Sequence, residues 1–120
     1  MRLQKAYETY GKKADFYWGY IREAHPLGSS RPSPLQIAQP KTYGERQQVA
    51  LTCSAGLNLK IPLLVDDIND TVASAFSAFP DRLYIIGKDG KIAYQGGRGP
   101  REFSVPEMTA ALEKIIEKTN

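Results

Sequence analysis

Sulfur and imidazole are scarce in this chain. Its 120 residues hold one cysteine, Cys53, and one histidine, His25. A lone cysteine excludes an internal disulfide and any zinc cluster built on cysteines. The longest apolar run is the six residues from Phe16 to Ile21, counting Gly19. That is far short of the roughly 20 needed to cross a bilayer, and the first twenty residues lack the layout of a secretory signal. No membrane is therefore expected as a partner. There is also no Lys/Arg run and no aromatic-basic interleaving, so no nucleic-acid partner is expected despite a net charge of +3. These absences together fit a reducing, cytoplasmic setting.

What is present suits one globular domain spanning residues 1–120, 42% apolar and 24% charged, with room for a single core. Its charge is divided unevenly. Residues 1–60 carry nine Lys/Arg against four Asp/Glu, and residues 61–120 carry seven against nine. The basic first half favours an anionic ligand.

The hydrophobic period switches repeatedly between helix and strand. Leu3, Ala6, Tyr7 and Tyr10 share a helical face and Gly11 fits the position after the last turn, which predicts a helix over 2–10. Phe16–Ile21 is aromatic and β-branched, a buried strand by composition. Residues 26–44 hold Pro26, Pro32, Pro34 and Pro40 with serines and glycines between them, and read as a long ordered loop. Thr42 and Glu45 have capping-box spacing, and Val49, Ala50, Cys53 and Leu57 then line one helical face. Ile61–Val65 is a short apolar strand, and Asp70 is placed to cap a short helix carrying Val72, Phe76 and Phe79. The strands 83–86 and 91–94 flank an Asp-Gly turn, a strong hairpin signal. Ser104 and Glu107 form a second capping box ahead of an amphipathic helix with Val105, Met108, Leu112, Ile115 and Ile116 on its apolar face. The order is α-β-loop-α-β-α-β-β-α: an α/β domain, a mixed sheet with flanking helices, parallel strands first and an antiparallel hairpin after.

Chemistry concentrates where the strand Phe16–Ile21 ends. Arg22, Glu23 and His25 follow within four residues, and Pro26 stops the ladder. Histidine titrates near neutral pH and can move a proton, and a carboxylate beside it would hold its charged form. The residues alone leave two readings open: an acid-base corner, or a capped strand end with Glu23 paired to Arg22. Arg98 lies between glycines in Gly96–Pro100, where the backbone can approach a ligand and a guanidinium fork can bind a carboxylate or phenolate. Its alternative is a solubilising loop arginine. Arg82 is expected to pair with Asp81 or a nearby carboxylate. Cys53, on an apolar helix face, reads as a buried structural thiol. Asp66, Asp67 and Asp70 lack the spacing of a calcium loop and read as an acid cluster at a helix N-terminus.

Three segments in order, Glu23-Ala-His25, Arg82-Leu-Tyr-Ile-Ile86 and Tyr94-Gln-Gly-Gly-Arg-Gly-Pro100, make the chain resemble the iodothyronine deiodinases and their bacterial relatives, from about Leu3 to Lys118. The resemblance implies a thioredoxin-like fold and a redox enzyme that reductively removes iodide from an aromatic ring, using a selenocysteine or cysteine and a thiol reductant as electron donor, with no bound cofactor. It assigns His25 to substrate contact and proton transfer and Arg98 to holding an iodothyronine-like substrate; Glu23, on the chemistry of a carboxylate near a histidine, is the candidate for stabilising its charged form. Two departures stand out. Where the vertebrate enzymes carry a second histidine, this chain has Pro40 or Lys41. The strand bearing the nucleophile would precede Met1, so the first core strand is missing, Met1 is expected to be an internal methionine, and this chain alone is expected to be inactive. A thiol or selenol peroxidase or reductase acting on a peroxide, and a non-catalytic binding or structural remnant, are the other classes. The gap left by the absent strand further predicts a homodimer or higher oligomer, since exposed strand edges recruit partners.

Overall fold

The computed structural model describes residues 2–119. Eight elements run in the expected order: α1 (Arg2–Tyr10), β1 (Trp18–Tyr20), α2 (Tyr43–Gly56), β2 (Leu63–Val65), α3 (Thr71–Ala75), β3 (Tyr84–Ile86), β4 (Ile92–Gln95) and α4 (Val105–Thr119). They gather into two compact units, one formed by Phe16–Phe79, the other by the chain up to Asp15 and from Pro80 onward. The architecture is mixed α/β and compatible with a thioredoxin-like fold, its parallel and antiparallel ladders lying in separate two-stranded sheets. No helix among the described residues is long and apolar enough to cross a membrane.

In the unit Phe16–Phe79, β1 and β2 pair in parallel with Trp18 opposite Leu63 and Tyr20 opposite Val65. The Trp18 and Asp66 amides extend the ladder by donating to the Pro62 and Tyr20 carbonyls. Parallel pairing requires a crossover, and α2 supplies it. Thr42 starts that helix as its spacing predicts: the Thr42 hydroxyl accepts from the Glu45 amide at 3.1 Å and donates to the Glu45 carboxylate at 3.3 Å. The buried stripe of α2 differs from the one expected. Leu57 lies past the last turn and is 61% exposed, whereas the stripe begins with Arg46, 2% exposed, and continues through Ala50. β1 is shorter than Phe16–Ile21 and stops at Tyr20. The long loop from Pro26 is closed on itself, with Leu27 N donating to Ile37 O (2.8 Å) and Ser33 N to His25 O (2.9 Å).

The short helix α3 departs from expectation in its cap. Asp70 occupies the position before the helix in a left-handed conformation (φ 60°), and its side chain makes no capping bond. Asp66 does the capping: its carboxylate, 4% exposed, accepts from the amides of Val72 and Ala73 at 2.9 Å each. Asp67 takes the Thr71 amide (3.0 Å) and hydroxyl (2.5 Å). The helix buries Ala73, while Val72 is exposed and Phe76 lies beyond its end.

In the other unit, β3 and β4 form the hairpin with Tyr84 opposite Gln95, and a bulge falls at Ala93 between the pairs Ile85–Tyr94 and Ile86–Ile92. The turn closes through Gly87 N to Lys91 O at 2.8 Å, and Gly90 supplies the positive φ of 80° that the turn needs. Helix α4 starts where predicted, the Ser104 hydroxyl accepting from the Glu107 amide at 3.2 Å. α1 packs on α4, and Ala6, Val105, Met108 and Leu112 are buried. At about 25 cal/mol per Å² of apolar surface, each of these larger side chains contributes roughly 1.5–3 kcal/mol to the unit.

Candidate functional site

The segment after β1 holds two of the three predicted site residues. The strand has ended before Glu23, so alternation no longer aligns Glu23 with His25. The Glu23 carboxylate instead accepts a short hydrogen bond from the Tyr20 hydroxyl. Burial, and then the bond to Glu23 and its charge, push the Tyr20 phenol far above its ordinary range, so Tyr20 stays a donor. Arg22 makes no ion pair with Glu23; its guanidinium lies 4.0 Å from the centre of the Phe79 ring, a cation–π contact.

The backbone of Glu23 is gripped from both sides by one side chain. The Gln39 carboxamide accepts from Glu23 N–H at 2.9 Å and donates to Glu23 C=O at 3.0 Å. A carboxamide has one acceptor and one donor group spaced like a peptide, so it stands in for the strand partner that β1 lacks beyond Tyr20. Gln39 also lines a cleft of about 550 Å³, together with Ile37, Pro40, Glu45, Gln48 and Val49. His25 follows two residues after Glu23. Its imidazole is exposed and has no hydrogen-bond partner among the described residues, while its carbonyl is held by Ser33. An imidazole left free over an ordered backbone is available to a substrate.

Cys53 on α2 lies within electrostatic reach of this corner. Burial, and secondarily the negative charge of Glu23, push its thiol pKa up, which favours the protonated, unreactive form. This agrees with an unreactive thiol, though Cys53 is half-buried rather than buried as its helix face predicted.

Arg98 belongs to the other unit. It too is exposed, without a hydrogen-bond or ion-pair partner among the described residues, and its carbonyl accepts from Glu102 N at 3.2 Å. The glycines around it serve the fold rather than leaving space. A Cβ on Gly97 would collide with the Glu102 side chain, and one on Gly99 with the Asp81 carboxylate. The Gly99 amide donates to the Asp81 carbonyl at 3.0 Å. Arg82 fastens the base of the same loop, its Nε donating to Gly96 O at 2.7 Å and its guanidinium 5.6 Å from the Tyr84 ring centre.

Three supporting residues escaped the sequence reading: Tyr20, Gln39 and Arg46. Tyr20 could have been found as the hydroxyl three residues before Glu23. Gln39 carries no signal, because its contact spans sixteen residues of irregular loop. Arg46 sits one helical turn before Ala50, directly on the buried face, and an arginine there calls for a carboxylate partner. That partner is the aspartate cluster: Arg46 Nη1 lies 3.0 Å from Asp70 Oδ1 and donates to the Asp67 carbonyl at 2.5 Å. The Asp70 contact is an ion pair without hydrogen-bond geometry. The acid cluster is thus helix cap and arginine counter-charge together, and no group of three or more His, Cys, Asp or Glu among the described residues is arranged to hold a metal.

Comparison with known proteins agrees with the motifs. The family model described as iodothyronine deiodinase matches residues 1–116. The chain is 35% identical to the thyroxine 5-deiodinase of Ovis aries over 97% of its own length and 40% of that protein. It is 34% identical to that of Homo sapiens over 97% of the chain and 38% of the relative. For Gallus gallus the figures are 33% identity, 84% and 39%. The chain therefore spans about 40% of the length of the curated relatives it matches.

Proposed function

The chain belongs to the iodothyronine deiodinase family, and from that premise we propose that it takes part in reductive removal of iodide from an iodothyronine-type aromatic ring. The observation that carries this reading is the His25 corner: an exposed imidazole with no hydrogen-bond partner among the described residues, on a backbone held by Gln39 and Ser33 and two residues after a Glu23 whose carboxylate is bonded to Tyr20. A proton donor for aromatic carbon needs that combination of freedom at the ring and order beneath it.

In this reading His25 gives a proton to the ring carbon that loses iodine, and Glu23, its carboxylate bonded to Tyr20 and its backbone held by Gln39, anchors the segment from which His25 projects. Arg98, in the other unit, offers a guanidinium suited to an anionic group of such a substrate. The reaction needs a thiolate or selenolate nucleophile. That nucleophile takes the iodine, the carbon–iodine bond breaks, and the carbon keeps the electron pair and accepts the proton. Two equivalents of thiol then return the chalcogen–iodine bond to free nucleophile and iodide, leaving a disulfide. Cys53, with its raised pKa, is not that nucleophile. The protein works in a thiol-reducing compartment and as a homodimer or higher oligomer.

The test is iodide release from thyroxine with dithiothreitol by the longest natural form of the protein. Turnover is expected, and His25→Ala should lower it by about 10²-fold, the scale of a lost general acid. Peroxide consumption without iodide release would replace this reading with the peroxidase one. Unchanged turnover in His25→Ala would remove His25 from the chemistry.

A further inference from the structure

We infer that Gln39 is a positioning residue for the His25 corner, coupling the wall of the 550 Å³ cleft to the backbone from which His25 projects. The inference rests on the deiodinase reading for its catalytic consequence, and on geometry alone for the coupling itself.

Three observations carry it. β1 ends at Tyr20, so nothing in the sheet fixes residues 21–25. The two bonds at 2.9 and 3.0 Å from one carboxamide replace the missing ladder at Glu23, and they act on backbone atoms, whose direction sets where the side chain two residues later points. The same residue borders the cleft beside Ile37 and Pro40, so a molecule in the cleft and the imidazole share one intermediary. Two such bonds to the N–H and C=O of one residue restrict a loop corner to one arrangement. Gln39 touches no reacting atom in this account and acts only through the Glu23 backbone.

Two variants separate hydrogen bonding from packing. Gln39→Met keeps the length and the apolar stem along the cleft but loses both bonds. Gln39→Glu keeps an acceptor for the Glu23 amide and loses the donor. In this chain, the Glu23 amide should exchange with solvent about tenfold faster in Gln39→Met and by an intermediate factor in Gln39→Glu, while the Ala50 amide inside α2 stays protected in both and shows that the fold is intact. Because His25 is the chain's one histidine, its ring signal in a carbon–proton NMR spectrum is unambiguous, and it should shift in Gln39→Met. In the longest natural form, kcat for iodide release should fall about tenfold in Gln39→Met with KM within about twofold. Unchanged Glu23 exchange overturns the inference. So does faster exchange with an unmoved His25 signal or an unchanged kcat. A wild-type long form that releases no iodide defeats the deiodinase reading instead, and the exchange and His25 measurements then decide on Gln39 by themselves.

Discussion

In the unit Phe16–Phe79, irregular backbone is held by long polar side chains that reach out to it. Arg46 spans from α2 to the Asp67 carbonyl and to Asp70, and Gln39 brackets Glu23. In the unit containing the hairpin, the loop around Arg98 is held by side chains that are absent, since Gly97 and Gly99 admit the flanks of Glu102 and Asp81 where a Cβ would not fit. Both devices reach the same end. Each fixes a backbone and leaves a polar side chain, His25 or Arg98, exposed and without a hydrogen-bond partner among the described residues. The difference lies in what each device risks. A long polar tether fails by leaving buried charge or unmet hydrogen bonds, while a missing Cβ fails by collision, whose cost is that of moving the neighbour it meets.

The contrast sets an order of magnitudes. Arg46→Ala should produce the largest loss, about 3–5 kcal/mol in denaturant unfolding, because it strips a buried partner from Asp70 and leaves a cavity on the buried face of α2. A loss below 1 kcal/mol would show that water replaces the guanidinium and that the tether is dispensable. Gly97→Ala should cost about 1–3 kcal/mol by forcing the Glu102 Cβ to move, measured the same way. If Gly97→Ala proves as damaging as Arg46→Ala, the two devices do not differ as argued.

The smallest effect is electrostatic and depends on pH. The hydroxyl and amide of Thr71 hold the Asp67 carboxyl below its ordinary pKa, outweighing desolvation. A carboxylate with a depressed folded-state pKa adds stability that is fully present above its unfolded value, near 3.9, and is lost as pH falls through the folded value. Asp67→Asn should therefore be slightly less stable than the parent at pH 7, with the gap closing below the usual carboxylate range. Thermal melts at pH 7 and at strongly acid pH measure this. A gap that persists unchanged in acid would mean that the charge of Asp67 is irrelevant.

The regular elements were legible because their signals are local. Capping spacing at Thr42–Glu45 and Ser104–Glu107, the Asp-Gly turn, and the apolar period of α4 each operate within one or two turns of chain. What escaped was set at a distance. The Asp70 cap failed because Asp70 is drawn to Arg46, and Asp66, four residues earlier, could fold back onto the α3 amides in its place. Leu57 fell off the buried face because α2 ends one residue before it. Of the candidate site residues, His25 and Glu23 in one unit and Arg98 in the other were visible as residue types out of place in strand and glycine surroundings. The neighbours that order them were not: the Tyr20 contact becomes apparent only once the strand is seen to end early, and the Gln39 contact only once the loop is seen to double back.

That doubling back has a consequence for how such a protein can change. The loop is pinched at its neck by three bridges, Glu23 with Gln39, Leu27 with Ile37, and His25 with Ser33. Everything between Gly28 and Pro32 lies outboard of them. Residues added or removed there leave the neck, and so His25, where they are, because closing a longer loop costs only a fraction of a kcal/mol per few residues. The tip is in effect an exchangeable cassette. It can be re-tailored to a new ligand or partner by drift alone, while the pinned neck beneath it stays under separate selection.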